Sequence, residues 1–306
     1  MKTIVDDSIY EYRASKDTLN APAIAKALAG TFQKGSVDTT CGPVEFMVYR
    51  PKEAAEDQVL PVVFSFHGGG FVLGYYEADG PYCQNLADQS QCMVINVDYP
   101  LAPENKFPKP VFATYEALEK IAALHAKYRF DPNQVIVMGH SAGGCLAVDM
   151  CLLNREHQKL AIKGQILDYA PLHQSLSPED RKALDPSKAI SANRMVQYIN
   201  WYFADLDDLQ DPLASPALAD LSDLPDALVI AAEYDSLRNE EEAFAKRANA
   251  QGTQAIFTLY PDACHGFTHE HLKEFNPSQA KAAWKQMADF IRSHVHEPVF
   301  NSSLLY

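Results

Sequence analysis

Short apolar runs alternate with longer helical patterns along most of this chain, and this alternation limits the folds that it can adopt. The apolar runs are typical of strands that are buried on both faces, as in a parallel sheet. They predict strands over residues 43–49, 61–66, 92–97, 134–138, 164–169, 227–231 and 255–260. Helices are predicted over residues 107–128, 142–154, 239–251 and 277–295. Strands and helices in this order favour one doubly wound α/β sheet.

Two segments fall outside the alternation. Residues 1–35 have a helical pattern and precede the first strand, whereas residues 172–210 form a polar and aromatic insertion between strands. The insertion is too long for a loop without structure of its own. By length alone, the chain of 306 residues has room for two domains. We expect instead a single domain over residues 1–306, with both segments folded as a small helical cap.

The charge balance excludes several classes of function. The chain has 26 Lys and Arg against 40 Asp and Glu, a net charge of −14. Nucleic acids and anionic membranes would be repelled, and a negatively charged substrate is disfavoured. No apolar run is long enough to span a membrane, the N-terminal residues lack the apolar core of a secretory signal, and the six cysteines show no C-x-x-C spacing. We therefore expect a soluble cytoplasmic protein without nucleic-acid or membrane partners.

A candidate nucleophile follows one of the predicted strands. Residues 139–143 read Gly-His-Ser-Ala-Gly, between an apolar strand and a helix of small residues. This context is typical of a serine on a sharp strand-to-helix turn, where the hydroxyl is exposed and the helix N-terminus favours an anion. A serine at a helix start is also an ordinary cap. The flanking elements favour catalysis by Ser141.

A glycine-rich loop follows the strand over residues 61–66. It reads His67-Gly68-Gly69-Gly70. Successive glycines are costly in conformational entropy and therefore indicate a backbone that approaches another group closely. Such a loop can direct N–H groups at the oxyanion of an acyl transfer, although a flexible turn is the ordinary alternative. A phosphate-binding loop is disfavoured because no Lys follows. We interpret His67 as a structural residue that holds the loop.

Together these motifs resemble the hormone-sensitive-lipase branch of the α/β-hydrolase fold. The resemblance continues through residues 98–104 (DYPLAPE), Ser215-Pro216, residues 233–238 (EYDSLR) and residues 265–267 (HGF), in the order of that family. It departs at His140, where Asp is usual, at Pro100 in place of Arg and at Ser236 in place of Pro. The resemblance implies an α/β-hydrolase fold, with a mostly parallel central sheet of about eight strands flanked by helices. It also implies a serine esterase that needs no cofactor.

The acid and the base are expected downstream of the nucleophile, since the chain order of this fold is serine, acid, histidine. Asp235 follows an apolar strand at its C-terminal end, where the sites of α/β proteins lie. His265 lies just beyond the strand that ends at residue 260. The imidazole would take the proton of the serine, and the carboxylate would orient the imidazole. Asp262 is a rival acid.

The region around His265 contains further candidates. His269 and His271 are rival bases, and with Cys264 and Glu270 nearby they are compatible with a metal cluster. The spacing is not that of a structural zinc site. We therefore expect no metal and favour the triad Ser141, Asp235 and His265.

The remaining parts of the site follow from the resemblance and from composition. The resemblance implies that the backbone N–H groups of Gly69, Gly70 and Ala142 bind the oxyanion. Aromatic residues near the motifs predict a closed apolar pocket for short acyl chains. The candidates are Phe71, Tyr75, Tyr76, Trp201 and Tyr202.

The sequence predicts a serine carboxylesterase that hydrolyses short-chain acyl esters through an acyl-enzyme. Its partner would be a small-molecule ester, and a homodimer is compatible with the resemblance. An arylformamidase, or a small amidase or peptidase, would share the glycine loop and the triad and is the alternative. A non-catalytic ligand receptor on the same fold is more remote, because the histidine that such receptors lack is present at position 265.

Overall fold

A computed structural model describes residues 8–16, 32–75, 77–177, 179–270 and 275–295. Its centre is one eight-stranded sheet with the strand order β1-β2-β4-β3-β5-β6-β7-β8. The strands are β1 (Gln33–Thr39), β2 (Gly42–Tyr49), β3 (Leu60–Phe66), β4 (Met93–Asp98), β5 (Phe130–His140), β6 (Ile162–Asp168), β7 (Asp226–Ala232) and β8 (Ala255–Tyr260). Strands β1 and β2 pair antiparallel with each other, and β2 pairs antiparallel with β4. From β4 to β8 the pairing is parallel, as predicted.

Strand β1 was not among the predicted strands, and its first residues belong to the segment that was predicted to be helical. The strand begins at Gln33, so the helical prediction for residues 1–35 is wrong at its end. Residues 33–39 contain no apolar run, because β1 is an edge strand that is largely exposed. Its conformation comes from the hairpin with β2, which turns at Gly42 with a φ of +97°.

Helices cover both faces of the sheet. They are α1 (Ser8–Ala14), α2 (Gly80–Ser90), α3 (Lys109–Ala123), α4 (His125–Tyr128), α5 (Ala142–His157), α6 (Ala192–Tyr202), α7 (Arg238–Ala250) and α8 (Pro277–Val295). Buried side chains of α3, α5 and α7 share one apolar core with the sheet, and those of α2 and α8 share the other. None of the described helices has the length and apolar character needed to cross a membrane.

Helices α1 and α6 come from the two segments outside the alternation and pack against each other. The hydroxyl oxygens of Tyr12 and Tyr198 are 2.6 Å apart, and the Tyr12 ring stacks on Trp201. Helix α6 begins at Ser191, whose hydroxyl accepts a hydrogen bond from the backbone N–H of Arg194. Its end is tied to the rest of the chain by the N–H of Phe107, which donates to the carbonyl of Tyr202. Residues 1–7 and 17–31 of the first segment, and residue 178 of the second, lie outside the described residues.

A buried ion pair anchors the insertion to α7. The guanidinium of Arg181 donates to the carboxylate of Glu240 over 2.8 Å, and the exposed fractions of the two side chains are 2% and 1%. Arg181 also donates to the carbonyl of His173, and Glu240 accepts from the backbone N–H groups of Leu172 and His173. Burial raises the pKa of Glu240, while the charge of Arg181 opposes that rise.

Replacing Arg181 with Met should leave the Glu240 carboxylate buried without its partner. Removal of one member of a buried pair costs about 3–5 kcal/mol. We therefore expect Arg181→Met to lower the free energy of unfolding by about 3 kcal/mol in urea titrations. Lys246→Met is the matched control. It removes an exposed i,i+4 pair with Glu242 on α7, the helix that also carries Glu240, and should lower the free energy of unfolding by less than about 1 kcal/mol. Equal losses in the two variants would contradict the structural role of the buried pair.

Candidate active site

The turn between β5 and α5 holds Ser141 in a conformation that few non-glycine residues adopt. Its φ is 52° and its ψ is −121°, a strained combination whose cost is about 1–3 kcal/mol. The backbone N–H of Ser141 donates to the carbonyl of Asp168 at the end of the neighbouring strand β6. A Cβ at Gly143 would overlap the carbonyl oxygen of Phe66, and one at Gly139 would overlap the backbone of Gly143. The glycines of the motif are therefore required by close packing of strand against helix.

The three residues predicted as a triad lie in hydrogen-bonding contact. His265 Nε2 is 2.9 Å from Ser141 Oγ, and His265 Nδ1 is 2.6 Å from Asp235 Oδ2. Asp235 is buried, and its other oxygen accepts from the backbone N–H of Leu237. With Nδ1–H donating to the carboxylate, Nε2 offers its lone pair to the serine hydroxyl. This chain of bonds is suited to deprotonating Ser141.

The rival candidates are engaged elsewhere. Asp262 is exposed, and its Oδ1 is 3.4 Å from the hydroxyl of Tyr234. His269 Nδ1 is 2.8 Å from the hydroxyl of Tyr169. His271 lies outside the described residues. Within the part of the chain that the structure describes, no group of three His, Cys, Asp or Glu side chains is arranged to hold a metal ion.

The glycine loop lies beside Ser141. A Cβ at Gly68 would lie 3.6 Å from Ser141 Cβ, and Gly69 and Gly70 have φ values of +124° and +61°. Both of these glycines line the cavity that contains Ser141. Ala142 is the first residue of α5, where a backbone N–H has no partner within the helix. The structure thus brings all three predicted oxyanion donors next to Ser141.

His67 contacts the glycine loop through its Nδ1, which is 2.8 Å from the carbonyl oxygen of Gly68. Its Nε2 is 3.3 Å from Asp98 Oδ1, and its ring stacks on Tyr99, whose hydroxyl donates to the His67 carbonyl. Burial raises the pKa of Asp98, but the hydrogen bond and charge of His67 and the N–H of Tyr75 outweigh it, so the pKa is lowered overall. His67 contacts the loop, in agreement with its interpretation as a structural residue.

Sequence reasoning missed a second histidine–carboxylate pair beside the nucleophile. His140 Nδ1 is 2.7 Å from Asp168 Oδ2, and the Thr268 hydroxyl donates to the same oxygen over 3.0 Å. The hydroxyl of Tyr169 lies within hydrogen-bonding distance of Thr268, and its ring contacts His265 edge-on. A signal was available, because His140 and Asp168 end neighbouring parallel strands in register.

Two cavities meet at Ser141. The larger, of about 450 Å³, is lined by Gly69, His265 and residues of α1 and α6. The smaller, of about 50 Å³, is lined mostly by apolar side chains, including Phe71, Ile199 and Tyr202.

The predicted pocket residues are divided by the structure. Phe71 and Tyr202 stack with their ring centroids 4.0 Å apart and line the smaller cavity. Trp201 stacks against Tyr12 and is not among the described residues that line either cavity. Tyr75 points toward β2, where its hydroxyl is 2.8 Å from that of Tyr49. Tyr76 lies outside the described residues.

A family model described as the alpha/beta hydrolase fold matches residues 63–269. This chain belongs to the α/β-hydrolase family. The matched range contains the glycine loop, the nucleophile turn and all three residues of the hydrogen-bonded chain. The predicted fold class is thereby confirmed.

Several relatives and solved structures that resemble this chain are named esterases. An arylesterase of Saccharolobus solfataricus is 30% identical over 86% of this chain and 87% of its own length. The carboxylesterase NlhH of Mycobacterium tuberculosis is 29% identical over 80% of this chain and 77% of its own. Among solved structures, the thermostable carboxylesterase EstE1 from a metagenomic library has a TM-score of 0.84, with 31% identity over 95% of this chain and 98% of its own. An esterase of Pyrobaculum calidifontis also has a TM-score of 0.84, with 32% identity over 94% of both chains.

Two aspartates near His265 can be told apart by one pair of variants. Asp235→Asn should lower kcat on para-nitrophenyl acetate by about 10³–10⁴-fold, because the amide no longer holds the tautomer that accepts the serine proton. Asp262→Asn is the control, since Asp262 is exposed and Asn tolerates its φ of 57°. That variant should keep the wild-type rate. A large loss in Asp262→Asn with none in Asp235→Asn would reverse the assignment.

Proposed function

We propose that this α/β-hydrolase is a serine carboxylesterase that cleaves short-chain esters through an acyl-enzyme. Carboxylesterase activity is supported by the family and by esterase relatives that align over most of the chain. The observation that carries the mechanism is the chain of hydrogen bonds from Asp235 through His265 to Ser141. The glycine loop and the two cavities lie next to these three residues.

This protein has a residue that can carry out each step of the reaction. Ser141 Oγ attacks the ester carbonyl carbon while His265 Nε2 takes its proton, and Asp235 stabilises the imidazolium. The backbone N–H groups of Gly69, Gly70 and Ala142 donate to the oxyanion, whose charge is larger in the transition state than in the substrate. His265 then returns the proton to the leaving alkoxide as the C–O bond breaks. Water, activated by the same imidazole, hydrolyses the acyl-enzyme and restores Ser141.

The two cavities suggest which half of the ester lies where. His265 must protonate the leaving oxygen, and it lines only the larger cavity. We therefore assign that cavity to the alcohol and the smaller one to the acyl chain. The small volume, closed by Phe71, Tyr202 and Phe203, favours short acyl groups.

Helices α1 and α6 are proposed as the described parts of the cap. Both supply lining residues to the larger cavity, namely Tyr12 from α1 and Tyr198 from α6. The ring of Tyr198 lies against Gly70 so closely that a Cβ there would overlap it. A cap in contact with the glycine loop would exclude water from the oxyanion and hold the loop rigid.

An acyl-chain series tests the proposed function. We expect the wild-type kcat/KM on para-nitrophenyl esters to be highest at acetate to butyrate and to fall at least tenfold by decanoate, because longer chains overfill the small cavity. Ser141→Ala should lose at least about 10³-fold on all of them. Equal slow hydrolysis by wild type and Ser141→Ala would contradict the esterase. Cleavage of N-formyl aryl amides with inert esters would favour the arylformamidase.

A matched pair on α6 tests the acyl assignment. Ile199 lines the smaller cavity, whereas Val196 is exposed on the same helix. Ile199→Ala should move the preferred acyl chain to a longer ester, and Val196→Ala should leave the profile unchanged. A shift of the alcohol preference alone in Ile199→Ala would contradict the assignment.

The attachment of α1 should depend on pH. Arg13 donates to the carbonyls of Val72 and Ala102 and forms a two-oxygen pair with Glu104, with bonds of 2.6 and 2.8 Å. This bond lowers the pKa of Glu104. The pair therefore stabilises the attachment of α1 fully above the ordinary Glu pKa of about 4.3. This stabilisation is lost as the pH falls through the lower pKa that Glu104 has in the folded protein. Amide hydrogen exchange of residues 8–16, corrected for its intrinsic pH dependence, should rise below that pH.

Arg13→Gln should raise the same exchange already at neutral pH. Lys52→Gln is the control, because it removes an exposed surface pair with Asp88. Exchange that is unchanged in Arg13→Gln would show that other contacts hold α1.

A further inference from the structure

Three cations surround the mouth of the larger cavity, and all three come from the segments proposed as the cap. Lys16 follows α1, Lys188 precedes α6 and Arg194 lies on the first turn of α6. They line the same cavity as Ser141 and His265. In a chain with 40 acidic and 26 basic residues, this local excess of positive charge opposes the overall sign.

Aromatic rings hold these cations without neutralising them. The Arg194 guanidinium carbon lies 3.9 Å from the centroid of the Tyr12 ring, and Lys16 Nζ lies 5.8 Å from the same centroid. Lys188 Nζ lies 3.8 Å from the centroid of the Tyr234 ring. A guanidinium stacked on a ring keeps its N–H edge available for an oxyanion.

No carboxylate among the described residues forms a salt bridge with any of the three. The ion pairs of the described chain involve other Lys, Arg and His residues. Asp185 interacts with Lys188 through space, and its pKa is lowered mainly by Ser187 and less by that lysine. Lys188 is therefore the weakest of the three as a site for another anion.

Among the described lining residues, the larger cavity contains one carboxylate, Asp79. Asp79 is 9% exposed and lies at the start of α2, on the side of the cavity formed by the main body of the fold. Lys16, Lys188 and Arg194 line the same cavity from the proposed cap segments. A substrate that extends from Ser141 toward the cap would therefore meet positive charge.

We propose that the preferred esters carry an anionic group on the leaving alcohol, recognised by Arg194 together with Lys16 and Lys188. This inference rests on the proposed function and on the assignment of the larger cavity to the alcohol. It reverses, for this half of the substrate, the expectation from net charge. Among the described residues that line the smaller cavity, Arg181 is the one cation, and its charge is already paired with Glu240, so the anion is assigned to the alcohol half.

Three acetate esters that differ in one remote charge test the proposal. They are para-acetoxyphenylacetate, para-acetoxyphenylacetamide and (para-acetoxybenzyl)trimethylammonium, in which a methylene separates the charge from the reacting phenol. We expect kcat/KM to decrease in the order anion, amide, cation, with about a tenfold preference for the anion over the amide at low salt. The preference should fall severalfold in about 1 M NaCl, where the Debye length shrinks to about 3 Å.

Charge-removing variants link the preference to the three residues. The triple variant Lys16→Gln, Lys188→Gln and Arg194→Gln should bring the anion-to-amide ratio close to one, because kcat/KM on the anion falls more than kcat/KM on the amide. Of the single variants, Arg194→Gln should have the largest effect. Lys163→Gln is the control: Lys163 is exposed near the start of β6, whereas the site lies at the strand ends. It changes the net charge equally and should leave the ratio unchanged.

The outcomes separate this inference from the proposed function. Equal hydrolysis of the anion and the amide by wild type, after correction for their rates with hydroxide, would overturn the inference and leave the esterase intact. A triple variant that loses activity equally on all three esters would assign the cations a structural role and would also overturn it. If wild type hydrolysed none of the esters faster than Ser141→Ala, the proposed function and this inference would fail together.

Discussion

The left-handed backbone of Ser141 is the constraint on which the rest of the site depends. A φ of 52° is unfavourable for serine, and it persists because two neighbouring elements determine it. Its N–H donates to the carbonyl of Asp168 at the end of β6, and the first turn of α5 places Gly143 against the backbone at the end of β3. Strand β5 lies between β3 and β6 in the sheet, so the ends of all three strands hold Ser141 at the same edge.

That edge also gathers the other parts of the site. The loop after β3 carries the glycines, the loop after β7 carries Asp235, and the loop after β8 carries His265. In a parallel sheet the carboxyl ends of all strands lie at one edge. The pairing of the strands is therefore enough to bring together residues that are far apart in the sequence. The proposed cap segments line the larger cavity at this edge. Helix α6 is joined to the main body at Phe107, and the insertion is joined to α7 through the buried pair of Arg181 and Glu240.

Much of this arrangement could be predicted because it is encoded locally. Apolar runs predicted the parallel strands, and the two glycine motifs have spacings that only a few backbones accept. Strand β1 could not be predicted, since its exposed side chains carry no apolar pattern and its pairing comes from the adjacent hairpin. The orientation of α6 could not be predicted from the sequence either. Trp201 and Tyr202 are neighbours on this helix, yet Trp201 packs toward α1 and Tyr202 toward the smaller cavity. The pair of Arg181 and Glu240 depends on packing between distant segments, which a single sequence does not encode in its spacing.

The separation of the two cavities has a consequence for how the chain could diverge. The smaller cavity, which we propose as the acyl cavity, is enclosed mostly by apolar side chains, whereas the mouth of the larger cavity is formed by residues of the proposed cap segments. Changes at the mouth need no repacking of the core, so mutation can alter them at little cost in folding stability. Changes in the acyl cavity disturb close packing beside the glycine loop. Selection for new alcohols is therefore expected to proceed in many small steps, and selection for new acids in a few steps that require compensating substitutions.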